Sequence, residues 1–291
     1  MRLAWYDFSF ELPDNWEASR YSIAAPTGRF EFVDRDGDLG RLSWEQSRRT
    51  PDDERILTEY HRRYLQQNDE NQVQGFAGIK TGRVGSFRVG YRHDGEPCQA
   101  LLHLPARRKT LLWVFPGYSE QSMNRVWKPI LESFKPNHGD TRHWSAFGIA
   151  CSLPAGFGME KAICRPADVW FEFQHKNLHR VDIHRWGLPR ELLRGGDMET
   201  FIRRVVANQE GRVLTATASE FRGMESLKLT TEIRGTKGMD RLYSSHWRGV
   251  GRVWHDTAAK RLYACMQAGP KKVKLLAEDE IFRHDDRVSD T

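Results

Sequence analysis

His175, His179 and His184, with Asp182 among them, are the residues of this chain whose types and spacing come nearest to a metal site. Neutral imidazole nitrogens are good metal ligands, and a carboxylate can orient a ligating ring through its second nitrogen. On a helix the first two histidines would share a face. On a hairpin with its tip near Lys176-Asn177-Leu178 they would approach each other across the turn. No Glu follows His175 in the HExxH pattern, and no cysteine completes a zinc set. The plainer reading is surface histidines on an exposed hairpin, so the chain is assigned no metal and no cofactor. A metal-dependent enzyme at this hairpin stays as the third of three functional readings.

Other constellations dissolve in the same way. Asp34-Arg35-Asp36-Gly37-Asp38 with Glu45 imitates a calcium loop, but Leu39 stands where the loop needs glycine, so an Asp-Gly hairpin turn is expected. Ser245-His246, with Asp240 or Asp256 nearby, lacks a nucleophile elbow, and neighbours on a strand point to opposite faces. Gly235-Thr236-Lys237-Gly238 and Gly249-Val250-Gly251 read as tight turns between strands, since a phosphate cradle needs a helix N-terminus after it. No catalytic motif stands out from this background.

A basic, aromatic stretch is the strongest candidate surface: Arg241, Tyr243, His246, Trp247, Arg248, Arg252 and Trp254, followed by Lys260-Arg261 and Lys271-Lys272-Val273-Lys274. Cations could track a polyanion while rings stack on bases. Residues 1–140 hold 20 basic and 20 acidic side chains and residues 141–291 hold 25 and 19, so the net charge of +6 belongs to the second half. The binding residues named on this ground are Arg241, Tyr243, Trp247, Arg248, Arg252 and Trp254.

The elements that would position these residues read as two similar halves. Alternating runs such as Phe8-Ser9-Phe10-Glu11-Leu12 and Arg29 to Val33 predict half-buried strands. Helices are expected over 52–67, from the Ile56, Leu57, Tyr60, Tyr64 stripe, and over 197–209, from Met198, Phe201, Ile202 and Val205. A closing helix is expected near 126–134, and residues 271–283 read as a helix or a further strand, the helix after Pro270 being preferred by analogy with the first half. An offset of 141 aligns Leu12-Pro13 with Leu153-Pro154 (153 − 12), Trp16 with Phe157, Phe30-Glu31-Phe32 with Phe171-Glu172-Phe173, and Tyr60-His61-Arg62-Arg63 with Phe201-Ile202-Arg203-Arg204. A period this long marks a duplicated domain, not a solenoid repeat. The polar stretch from Lys135 to Thr141 places the boundary, giving modules 1–138 and 139–291.

The opening Phe8-Ser9-Phe10-Glu11-Leu12-Pro13-Asp14-Asn15-Trp16 and the closing Trp127-Lys128-Pro129-Ile130-Leu131-Glu132-Ser133-Phe134 resemble the PsbP-like superfamily, as do Leu153-Pro154-Ala155-Gly156-Phe157 and Ile281-Phe282 in the second half. That superfamily includes photosystem extrinsic proteins, a Ran-binding nuclear import factor and the DcrB lipoproteins. The resemblance implies an α+β fold, two tandem modules each made of an antiparallel β-sheet packed with helices. It also implies non-catalytic binding modules with unrelated partners, and it carries over no site residue.

Met1 to Asp7 has no export-signal character, no segment is apolar enough to span a membrane, and the four cysteines form no CxxC pair, so a cytoplasmic address is expected. The leading reading is a non-enzymatic binding or adaptor protein, with a protein partner, that uses an inter-module groove or a sheet face. A nucleic-acid-binding protein using the basic, aromatic face of the second module is the alternative. On the leading reading, reversing Arg248 and Arg252 to Glu abolishes partner capture in a pull-down and leaves the fold intact.

Overall fold

The computed structural model describes residues 1–34, 37–46, 52–59, 80–91, 97–114, 123–194, 196–234 and 246–282. They form two compact units, Met1–His138 and Gly139–Thr291.

The first unit contains β1 (Arg2–Trp5), β2 (Phe8–Glu11), β3 (Glu17–Tyr21), β4 (Thr27–Val33), β5 (Asp38–Gln46), β6 (Lys80–Val84), β7 (Phe87–Tyr91), β8 (Pro97–Leu104), β9 (Lys109–Val114) and β10 (Lys135–Pro136). Seven of them make one antiparallel sheet in the order β3-β4-β5-β9-β8-β7-β6. The β1–β2 hairpin, with β10 paired to β2, supplies the cover for one sheet face. Its aromatic side chains do the covering: Trp5 meets Phe30 at 5.2 Å, Phe8 meets Trp44 at 5.5 Å, and Phe10 meets Trp113 at 5.3 Å between ring centroids. The indole N–H groups of Trp5 and Trp44 donate to the carbonyls of Ser22 and Ala24, so burying these two rings strands neither indole nitrogen. At the edge of this core Lys109 is ion-paired with Asp7, both nearly buried.

The second unit contains β11 (Thr141–Ala146), β12 (Ile149–Pro154), β13 (Phe157–Arg165), β14 (Asp168–His175), β15 (Arg180–Trp186), β16 (Gly211–Phe221), β17 (Met224–Arg234), β18 (His246–Asp256) and β19 (Arg261–Gly269). Its sheet order, β13-β14-β15-β19-β18-β17-β16, is that of the first sheet strand for strand. Register agrees as well. Glu31 pairs with Arg41 and Glu172 with Asp182, a step of 141 in both strands (172 − 31 and 182 − 41). In the hairpins Leu3 faces Phe10 and Trp144 faces Cys151, again 141 apart.

The expectation of α+β modules packed with helices is corrected by this architecture, which is β-rich. The longest described helix is Met198–Asn208, eleven residues; the others include Lys128–Glu132, Pro189–Leu192 and Glu278–Ile281, of five, four and four. Residues 53–59 are also helical, at the start of the helix expected over 52–67. The helix near 126–134 is cut to 128–132 behind a π-helical turn at Met123–Trp127, with Pro129 in its first turn. The helix expected over 271–283 exists only at its end. Gln267 takes its place: its side chain donates to the Leu276 carbonyl and accepts from the Leu276 N–H, both at 2.9 Å. A buried glutamine that satisfies both groups of one backbone residue holds that segment non-helical against β19.

Gly249-Val250-Gly251 is likewise no turn but the middle of β18. A Cβ on Gly249 would lie 2.5 Å from the Gln267 carbonyl and from the Thr231 hydroxyl, so glycine is required there by close packing.

Candidate functional site

The residues singled out in the sequence are mostly structural in their placement. His175 hydrogen-bonds Asn177 at the hairpin tip at 2.8 Å, and buried His179 hydrogen-bonds Gln267 at 3.1 Å. His184 is buried between Trp170 and Trp186, stacked at 5.2 and 4.8 Å, and its Nε2 lies 3.4 Å from the Gln209 amide nitrogen. Asp182 orients no histidine. It is buried and accepts from the Trp170 indole at 3.0 Å and from Arg180 at 2.9 Å, while Glu172 lies 3.5 Å from Arg180. Among the described residues no group of three or more His, Cys, Asp or Glu is arranged to hold a metal. In the calcium-like loop Asp34 and Gly37 close a turn, the Asp34 N–H donating to the Gly37 carbonyl at 3.0 Å; Arg35 and Asp36 lie outside the described residues.

The basic, aromatic stretch is divided between inside and outside. Arg241, Tyr243 and Ser245, with residues 235–238, lie outside the described residues. Trp247 is buried with Ile233, Ala268 and Leu178 on one sheet face. Trp254 is buried on the other face, stacked on Tyr263 at 5.4 Å and met by Phe282 at 5.2 Å. Arg252 is 6% exposed: it pairs with Glu278 at 2.5 Å and donates to Ser219, Ser226 and the Glu220 carbonyl. Arg248 is exposed and faces Glu232 across the ladder, and Lys260, Lys271, Lys272 and Lys274 are exposed too. Neither buried tryptophan is placed to stack a base.

What sequence reading missed lies in the first unit. A cavity of about 340 Å³ opens between the 53–59 helix and the sheet. Ser43, Trp44 and Glu45 of β5 line it, with Leu101 of β8, Thr110 and Leu112 of β9, and Ile56 and Glu59 of the helix. Cross-strand pairing puts the sheet residues other than Trp44 on one face: Ser43 opposes Leu112, Glu45 opposes Thr110, and Leu101 opposes Leu112. The wall hydroxyls are engaged, Ser43 donating to the Leu112 carbonyl at 3.3 Å and Thr110 sharing a hydrogen bond with His103 at 3.2 Å.

The second unit fills the same place. Trp186 opposes Leu262 as Glu45 opposes Thr110, and Val253 opposes Ala264 as Leu101 opposes Leu112. Asp52 caps the first helix by accepting from the Arg55 N–H, and Asp197 caps the second by accepting from Thr200. Aligning the caps sets Ile56 against Phe201 and Leu57 against Ile202, a step of 145 (201 − 56). The match of Tyr60–Arg63 to Phe201–Arg204 in the sequence is therefore out by four residues, and Tyr60–Arg63 lie outside the described residues. In the second unit Trp186 meets Phe201 edge-to-face at 5.1 Å and joins Leu262, Ala264 and Val253 in one core.

No protein-family model matches the chain, and no curated protein does. Among solved structures it is similar to cyanobacterial PsbP from Synechocystis sp. PCC 6803, at 10% identity and TM-score 0.32, over 46% of this chain and 82% of that one. It is also similar to the apo immunity protein TplEi of the T6SS from Pseudomonas aeruginosa, at 10% identity and TM-score 0.31, over 97% of this chain and 94% of that one. Likenesses at this level carry no argument about function. Among the described residues no helix is long and apolar enough to cross a membrane.

Two outcomes follow from these placements. Arg248→Glu leaves the protein folded, whereas Arg252→Glu sets two carboxylates together in a buried site and destabilises it by about 3–5 kcal/mol, measured by urea unfolding; the paired reversal expected from sequence is thus no clean probe of binding. Burial, with the Arg180 and Lys161 charges, lowers the His184 pKa to about 3 from 6.5. A depressed folded-state pKa stabilises above the unfolded value and loses that stability as pH falls. Between pH 6.5 and 3 this group should cost up to about 1.4 kcal/mol per pH unit, a slope absent in His184→Phe unfolded over the same range.

Proposed function

We propose that this chain is a non-enzymatic, cytosolic binding or adaptor protein made of two PsbP-like modules of common origin. Its first module binds, and its second is the packed support. Common origin is supported by the identical strand order and by the 141-residue step shared by hairpin and sheet registers. The free cysteines Cys151, Cys164 and Cys265 are in keeping with a reducing compartment.

One observation carries the division of labour: Glu45 occupies the position that Trp186 fills in the second unit. An exposed carboxylate in place of a large buried ring opens the helix–sheet interface, and the resulting cavity sits at the lower end of the size range of ligand sites. The recognition surface is then a sheet face under a helix, not the basic, aromatic stretch.

Methyl NMR with n-pentanol as a neutral probe tests the reading. Pentanol should shift the methyl resonances of Ile56, Leu101 and Leu112 and leave those of Val253 and Leu262 in place. Glu45→Trp should remove the shifts and raise stability by about 1 kcal/mol. Unmoved first-unit methyls in the wild-type protein would count decisively against it.

A further inference from the structure

We infer that the second unit, packed as it is, has a carboxylate-binding site of its own at the turn of its hairpin, where the Arg185 and Arg261 side chains receive a ligand's carboxylate. The first unit shows the arrangement complete. Asp7, in the turn between β1 and β2, is ion-paired with Lys109, and Arg107 lies 3.7 Å from the same carboxylate. The hairpin register carries Asp7 onto Gly148, a step of 141 (148 − 7). The ladder that matches Thr110 to Leu262 carries Lys109 onto Arg261. The second unit therefore keeps the cation and puts glycine in place of the carboxylate.

It also gains a second cation. Arg185 opposes Tyr263 as Trp44 opposes Leu111, so an arginine stands where the first unit has a packed indole. Arg261 is two residues from Tyr263 on the same face of β19, a diagonal spacing of about 7–8 Å that long side chains bridge. Arg185 lies on the turn itself: a Cβ at Gly148 would be 3.3 Å from its Cδ and 3.5 Å from its Nε and Nη1. Its guanidinium thus rests where the Asp7 side chain departs in the first unit.

The Arg185 Nε is buried and makes no hydrogen bond among the described residues. Burial, and then the Arg261 charge, hold the Arg185 pKa below its ordinary value. A buried donor without an acceptor, beside a like charge, is costly, and one carboxylate relieves both. Asp256 faces Arg261 across the ladder, but it closes its own turn by accepting from the Ala259 N–H at 2.8 Å. Arg261 gives one N–H to the Lys260 carbonyl at 3.0 Å. Gly148 is exposed, so a ligand reaches the pair from solvent.

The carboxylate could belong to a free acid or to an aspartate of a partner chain. The experiment titrates the full chain, at low chloride, with acetate, acetamide and an acetylated, amidated Ala-Asp-Ala peptide, following the Arg185 and Arg261 Nε–H resonances by NMR. Acetate or the peptide should shift both resonances and bind at least tenfold more tightly than neutral acetamide. Gly148→Asp should supply the carboxylate from within and weaken acetate binding about tenfold or more. Gly148→Asn, with the same left-handed backbone and no charge, should hold it within about threefold. Tighter binding of the peptide than of acetate assigns the source to a partner's aspartate, and the reverse to a free acid. Unmoved Arg185 resonances, acetamide binding as tightly as acetate, or equal losses in the Asp and Asn variants each overturn the inference. The first-unit cavity is untouched by either result, because its methyls report on it separately.

Discussion

A seven-stranded antiparallel sheet has two faces to cover, and among the described residues each unit sets a hairpin on one face and a helix on the other. That mismatch governs the rest of the structure. Seven strands span about 29 Å at the usual interstrand spacing. The eleven-residue 198–208 helix is about 16 Å long. Laid on such a face, it protects β16 to β19 with Trp186 at its margin, and leaves the β13–β15 side to find another solution.

The second unit solves this with polar groups that satisfy one another. Arg180 lies between Asp182 and Glu172, and Lys161 sits 3.9 Å over the Trp170 ring, which stacks on His184. Ion pairs of this kind offset their own desolvation more than they add stability, and they leave no free group for chemistry. The first unit answers the same demand with different charges. Arg29, Glu31 and Arg41 occupy the register positions of Trp170, Glu172 and Asp182, and Arg20 and Arg29 both lie 3.3 Å from Glu31. Sequence symmetry at Phe30-Glu31-Phe32 and Phe171-Glu172-Phe173 therefore preserves one carboxylate while its surroundings change.

Much of the framework was legible in the chain because it depends on local alternation. The runs from Phe8 to Leu12 and from Arg29 to Val33 reappear in β2 and β4, and the Met198, Phe201, Ile202 stripe packs as a helix face. Features decided by distant partners were not legible. Arg252 looked like a surface cation because its carboxylate, Glu278, lies 26 residues away and beyond a turn. The segment after Pro270 looked helical because the glutamine that holds it extended sits on β19. The cavity was hidden for a subtler reason. Glu45 looks like an ordinary solvent-facing strand residue until the register sets it opposite Thr110 and in the place of Trp186. The slip of four residues at the helix cap concealed that Ile56, a smaller side chain, stands where Phe201 stands.

Leaving an interface hollow forgoes stabilisation, since a fully buried large apolar side chain contributes about 1.5–3 kcal/mol. The first unit has a visible means of bearing that loss. Of the largest fully buried side chains among the described residues, Trp5, Phe8, Phe10, Phe30, Phe32, Phe87, Trp113 and Trp127 belong to it, against Trp144, Phe171 and Phe173 in the second. These first-unit rings form a connected network: Phe32 stacks on Trp113 at 5.5 Å, Trp113 meets Trp127 at 5.8 Å, and Trp127 meets Trp16 at 4.9 Å. Edge-to-face and stacked pairs add about 0.5–1.5 kcal/mol each beyond their buried area. The first unit thus concentrates its packing on the hairpin face and can leave its helix face open. The second spreads its packing over both faces, with Trp186 and Phe201 on one and Trp144 and Phe173 on the other, and has no such latitude.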